Sequence, residues 1–246
     1  MTSPASLPLS NNDLIKTTCE ALVRALYLFM LSVFLLCSST GTAFGVASKL
    51  ELVWPKSSYV LVRPTAVAVD PAGNVYVVDT DDNRVNKFDA NGKLLAQWGV
   101  YGTGNGQFDS PSGVAVDETG TNVIVDSGNG RIQKFTTGGV VLAKWGSYGT
   151  ANGLFRYPTG VAVDLSGNVY VCDTGNDRIQ KFSPEGVFSR KWGATGVADG
   201  QFHSPMDIAL DLSYNIYITD NGNNRVRLWS VLVISDSKKP DFMELI

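Results

Sequence analysis

Carboxylates and arginines recur along this chain at a constant interval. Asp79, Asp126, Asp173 and Asp220 stand 47 residues apart, and Arg84, Arg131, Arg178 and Arg225 keep the same step. A carboxylate placed five residues before an arginine has two uses. It can accept turn amides and pair with the arginine across a short hairpin. Alternatively, four such groups can form an oxygen ring that holds Ca²⁺. A second series, Asp70, Asp117, Asp164 and Asp211, offers the same choice. Both series appear in every copy of the repeat, so the preferred reading is structural: a residue written into every unit belongs to every unit's fold. No resident metal and no cofactor are expected.

The remaining reactive residues are few. His203 is the only histidine, and it stands where other units carry Asp109 and Arg156. A single histidine cannot supply a multi-histidine metal set, and no nucleophile–base pair accompanies it. Cys172 occupies a position held by Val78, Val125 and Thr219 in the other units, which marks it as a small buried apolar residue and not a reactive thiol. Neither a phosphate-binding loop nor a Gly-x-Ser-x-Gly elbow is present.

The elements that must carry these residues are short strands. Each unit opens with strand a, the run Ala66–Asp70 and its copies Gly113–Asp117, Gly160–Asp164 and Asp207–Asp211. A Gly-Asn turn follows in two units (Gly73-Asn74, Gly167-Asn168), then strand b, Val75–Val78 or Val169–Cys172. The Asp and a polar turn lead to strand c, such as Arg178–Phe182, and a Gly-bearing turn leads to strand d, such as Lys93–Trp98. β-branched and aromatic residues fill the strands, while Gly, Asn and Asp fill the turns. A four-stranded meander cannot bury both of its faces alone. Copies stacked around an axis can, which makes the expected fold all-β, a β-propeller of four-stranded antiparallel blades. Strand a alternates small Ala with larger Val, as suits the crowded innermost position.

The pattern Gly-Gln-Phe-x-x-Pro-x-Gly-Val-Ala-Val-Asp, Gly-Asn-Val-Tyr-Val, Asp-Thr, Asn-x-Arg-Ile-Gln-Lys-Phe, Lys-Trp-Gly resembles the NHL repeat. Residues 157–193 carry nearly all of it, and the resemblance extends over residues 49 to about 230. It implies a propeller, usually of six blades, and mostly interaction modules with a few enzymes among them. Propeller enzymes of similar fold, peptide-amidating and streptogramin lyases among them, rely on several histidines. RNA-binding members need a basic face. Here 20 Lys and Arg oppose 23 Asp and Glu, for a net charge of −3, so nucleic acid is not an expected partner.

Ahead of the repeats, residues 25–37 form an apolar run without a charge, followed by the small residues Ser38–Ala43 and Gly45–Ala47. That layout fits a secretory signal cleaved after Ala43 or Ala47; at 13 residues the run is short for a spanning helix. The alternative is an uncleaved anchor, the one way this chain would touch a membrane. The expected organisation is a signal peptide or anchor over 1–47, the propeller over 48–234 and a polar tail over 235–246. The expected location is the periplasm or the extracellular space.

Lys49–Trp54 resembles a spare strand d, and the fourth unit lacks its own c–d turn glycine, with Val233 in that place. The N-terminal strand is therefore expected to complete the last blade, hiding an exposed edge. Four repeats close as four blades, form an open arc, or are a fragment of a longer propeller, and the complementary end strands favour closure.

Residues that differ between units at equivalent loop positions are free to serve a ligand. The links from strand d to strand a are long and Gly-rich, and on an up-and-down meander they share a rim with the b–c turns. They carry Tyr101, Asp109, Tyr148, Arg156, Tyr157 and His203. The expected function is an exported, non-enzymatic binding or scaffold module for a protein, peptide or glycan, contacted through these residues. The alternative is a metal-dependent lyase or hydrolase with its site in the axial channel.

Overall fold

The computed structural model describes residues 60–230 and 243–245. The apolar run 25–37 and the segment Lys49–Trp54 lie outside the described residues. Among the described residues, sixteen strands form four antiparallel four-stranded sheets. The first contains β1 (Pro64–Val69), β2 (Val75–Asp79), β3 (Arg84–Phe88) and β4 (Leu94–Trp98). The second contains β5 (Pro111–Val116), β6 (Asn122–Asp126), β7 (Arg131–Phe135) and β8 (Val141–Trp145). The third contains β9 (Val161–Val163), β10 (Val169–Asp173), β11 (Arg178–Phe182) and β12 (Phe188–Trp192). The fourth contains β13 (Pro205–Leu210), β14 (Ile216–Asp220), β15 (Arg225–Ser230) and β16 (Met243–Leu245). The sheets are arranged as a four-blade β-propeller with β1, β5, β9 and β13 innermost.

The fourth strand of the last sheet differs from the expectation. Beside β15 lies β16, which comes from the C-terminal segment set apart as a tail; Lys49–Trp54, expected in that place, lies outside the described residues. The edge of β15 needs backbone partners wherever they come from. The 47-residue step could not find this strand, because β16 does not repeat the sequence of β4, β8 or β12.

The a–b turns explain the first carboxylate series. Asp70 Oδ1 accepts the amides of Ala72 and Asn74 at 3.0 and 2.8 Å, and Asp117, Asp164 and Asp211 each accept the corresponding pair. A side chain that caps its own turn in this way is a turn former. In the first and third sheets the same carboxylate also takes a tyrosine hydroxyl and faces a lysine. Tyr170 donates to Asp164 at 3.1 Å, and Lys181 lies 3.8 Å from that carboxylate and 4.8 Å from the Tyr170 ring centroid. Burial pushes the Lys181 pKa below its ordinary value and the Tyr170 pKa above its own.

Apolar side chains fill the joins between sheets. Tyr76, Val78 and Val85 of the first sheet meet Val114, Ile124 and Phe135 of the second. The next join sets Val123, Val125 and Ile132 against Val161, Val171 and Phe182. The third sets Tyr170, Cys172 and Ile179 against Ile208, Ile218 and Trp229. Cys172 is fully buried, and burial raises its thiol pKa well above the usual value, so it behaves as an apolar residue. Full burial of one large apolar side chain contributes about 1.5–3 kcal/mol, so these joins dominate the cohesion of the array.

Candidate functional site: the loop rim

The d–a loops and b–c turns meet on one rim, and the second carboxylate series holds them there. Asp173 shows the arrangement. Its side chain is wholly buried, and Oδ1 accepts the Arg156 amide at 2.7 Å. Asn176 donates to both carboxylate oxygens at 2.9 and 3.0 Å, Arg178 Nε donates to Oδ2 at 2.6 Å, and Gln180 donates to Oδ2 at 2.9 Å. The same Arg178 and Gln180 reach the loop carbonyls of Ala151 and Leu154. One buried carboxylate thus orders a turn, a strand and a loop through charge-assisted bonds. Asp126 and Asp220 repeat the pattern with Asn129, Arg131 and Gln133, and with Asn223 and Arg225. Among the described residues, no group of three or more His, Cys, Asp or Glu could hold a metal ion.

The balance between burial and bonding separates two of these carboxylates. At Asp126 burial dominates and holds the pKa above the ordinary value of 3.8. At Asp220, also fully buried, burial pushes upward too, but the His203 amide, Asn223 and Arg225 outweigh it and the pKa falls below 3.8.

The clamp also fixes the variable residues. The amides of Asp109, Arg156 and His203 donate to Asp126, Asp173 and Asp220 at 2.8, 2.7 and 2.7 Å. Their carbonyls accept the amides of Gly128, Gly175 and Gly222. Behind each loop a phenylalanine is buried: Phe108, Phe155 and Phe202. Phe155 requires Gly146, because at φ +87° a Cβ there would come within 2.5 Å of the ring. The three variable side chains are therefore carried on loops with anchored backbones.

Of the six residues named from sequence, three form one group. Tyr148 and Tyr157 meet edge to face with centroids 5.7 Å apart, and Arg156 Nε donates to the Tyr148 hydroxyl at 3.1 Å. All three are exposed, and Tyr157 adopts φ +47°. That left-handed conformation is costly for a bulky side chain. Ser110 and Ser204 take the same conformation in the neighbouring units, where Asn83 and Asp177 side chains accept their amides at 2.8 and 2.7 Å. Gly130 stands in the place of Asn83 and Asp177, and Tyr148 packs over it. This Asn83, Gly130, Asp177 series is visible in the sequence at the 47-residue step and marks the join where the tyrosine pair replaces a polar clamp. Tyr101 is exposed beside Phe108, Asp109 lies over Gly128, and His203 lies over Gly222.

The inner strands line an open cavity of ~670 Å³ whose lining includes Thr65, Val67, Ser112, Val114, Thr159 and Asp207. Its hydroxyls are engaged between sheets: Thr65 donates to the Ser112 carbonyl, Ser112 to that of Thr159, and Thr159 to that of Met206. Asp207 is the one ionisable lining residue.

Four up-and-down sheets around such an axis define a β-propeller. The NHL repeat family model matches residues 61–88, 108–135 and 155–182, each running from the d–a loop through strand c. The chain is an NHL-repeat β-propeller. No curated protein matches its sequence. Among solved structures, a streptogramin B lyase aligns with TM-score 0.56 and 16% identity over 76% of this chain and 56% of its own. Virginiamycin B lyase from Staphylococcus aureus aligns with TM-score 0.54 and 14% identity over 74% and 55%. A Bacteroides caccae protein of unknown function aligns with TM-score 0.51 and 12% identity over 74% and 60%. This chain thus spans a little over half the length of the lyase structures. Likeness at these identities concerns the fold.

Proposed function

We propose that the chain is an exported binding module that takes a protein, peptide or glycan on the loop rim, with Tyr148, Arg156 and Tyr157 as its centre. The observation that carries this reading is the placement of that trio. Two tyrosines and an arginine, the side chains favoured as binding anchors, stand exposed on loops fixed by buried carboxylates. A rigid rim spends little ordering entropy when a ligand docks. Tyr101, Asp109 and His203 vary the surface to either side. A lyase or hydrolase at the axial cavity is the second reading, and fold likeness alone supports it.

The test is capture on peptide and glycan arrays. The unmodified chain and a variant of the opposite rim, Asn91→Ala with Glu185→Ala, should both bind. Replacing Tyr101, Tyr148, Arg156 and Tyr157 together by Ala should abolish capture while leaving the β-type circular dichroism spectrum intact. Loss of capture in the opposite-rim variant would assign the wrong face. Export rests on the apolar run 25–37 and the small residues after it. Mass spectrometry of exported protein should place its first residue near Phe44 or Ser48, and an intact Met1 in a membrane fraction would favour the anchored form.

A further inference from the structure

Each join in the propeller brings together two unlike faces. The trailing face of a sheet carries the residues typified by Ala68, Tyr76, Val78 and Val85. The leading face of the next carries those typified by Val114, Val116, Ile124 and Phe135. Register places the equivalents on common faces: Val67 opposite Val77 and Val69 opposite Val75 in the first sheet, Ala209 opposite Tyr217 and Thr219 opposite Val226 in the last.

Two faces fall outside this scheme. On the leading face of the first sheet, Val67 is 65% exposed, whereas its counterparts Val114 and Val161 are 8% and 6% exposed. On the trailing face of the last sheet, Val226 is 66% exposed, whereas Val85, Ile132 and Ile179 are at 0%. Val69 and Tyr217 are exposed with them. The first and last sheets therefore do not bury these positions against each other.

We propose that the two faces pair between two copies of this chain, head to tail, so that the last sheet of each copy docks on the first sheet of the other. The argument for this occupant is complementarity already present in the molecule. The exposed residues Val67, Val69, Tyr217 and Val226 lie on the two halves of an interface that the chain forms three times within itself, and a second copy carries both halves. Phe88, farther out on the leading face, is already buried within the chain at 1% exposed. Leading face on leading face matches no join in the chain. Unlike faces that close after two steps give a two-fold ring. Its eight sheets fall within the range of four to eight blades that propellers adopt.

The outer join is looser than the inner ones. Asp207 stands where inner sheets have Gly113 and Gly160, and a Cβ at Gly160 would already lie 2.7 Å from backbone of the neighbouring sheet. Thr219 replaces Val78, Val125 and Cys172. The Asp207 amide donates to the Thr219 hydroxyl at 2.8 Å, so these polar groups bond within their own sheet. Such a join is separable, with a dissociation constant accessible to measurement.

Sedimentation equilibrium of the full chain over a concentration series tests the proposal. A species of twice the 26.4 kDa chain mass is expected. Val67→Glu and Val226→Glu should each weaken it by ~100-fold or more, because each places an unpaired charge in both joins. Both side chains are exposed in the single copy, so circular dichroism should remain unchanged. Val187→Glu, at an exposed turn of the third sheet, is the control and should dimerise normally. An equimolar mixture of the two variants retains one unmodified join and should associate more tightly than either alone. A monomer at every concentration overturns the proposal. So does one of the two variants dimerising like the unmodified chain, since that result signifies self-pairing of a single face.

Discussion

The third and fourth sheets are built to one pattern and differ most in what covers their trailing faces. Both hold a buried Asp in a cage of Asn and Arg, both cap the a–b turn with an Asp, and both carry a buried Phe behind the d–a loop. Their trailing faces diverge. Cys172 and Ile179 are wholly buried in the third, while Thr219 and Val226 are exposed in the fourth. Lys181, stacked over Tyr170 beside Asp164, becomes Leu228. The polar clamp is thus local to a unit and forms regardless of neighbours. Burial belongs to pairs of units and is lost where a neighbour is missing. The repeat completes its carboxylate clamp internally, shares further bonds with its neighbour such as Thr159 to the Met206 carbonyl, and depends on that neighbour for apolar cohesion.

Breaking the clamp should have the largest effect, and more inside than at the end. Asp173→Ala leaves Arg178, whose side chain is 6% exposed, without its carboxylate. A loss of about 3–5 kcal/mol in urea unfolding is expected. Asp220→Ala leaves Arg225, at 30% exposed, within reach of water and removes a more distant charge, at 3.8 Å, from Arg227, and should cost about 1–3 kcal/mol. Equal losses would mean that depth does not distinguish the two sheets.

Truncating the apolar faces sharpens the comparison with smaller changes. Ile179→Ala opens a cavity in a packed join and should cost about 2–5 kcal/mol. Val226→Ala, at the equivalent position, should change the stability of the single copy by less than ~0.5 kcal/mol. A cost at Val226 approaching that at Ile179, measured at concentrations where the chain is monomeric, would show its face to be covered within one chain.

Much of this was legible in the residues themselves. The 47-residue step, the period-two alternation and the Gly, Asn and Asp turns determine the strands, their order and their pairing with near neighbours, because these depend on contacts local in sequence. The same step separated the structural Asp and Arg series from variable loop residues such as Arg156 and Tyr157. Other features depend on three dimensions. The tyrosine pair forms because Gly130 opens a space across a join, between residues 18 and 27 positions away in the chain. The outer strand of the last sheet comes from Met243–Leu245, beyond the repeat, because any segment with free backbone groups can satisfy an edge. The exposure of Val67 and Val226 is likewise invisible in sequence. Their own strands are ordinary copies, and whether a side chain is buried depends on what packs against it.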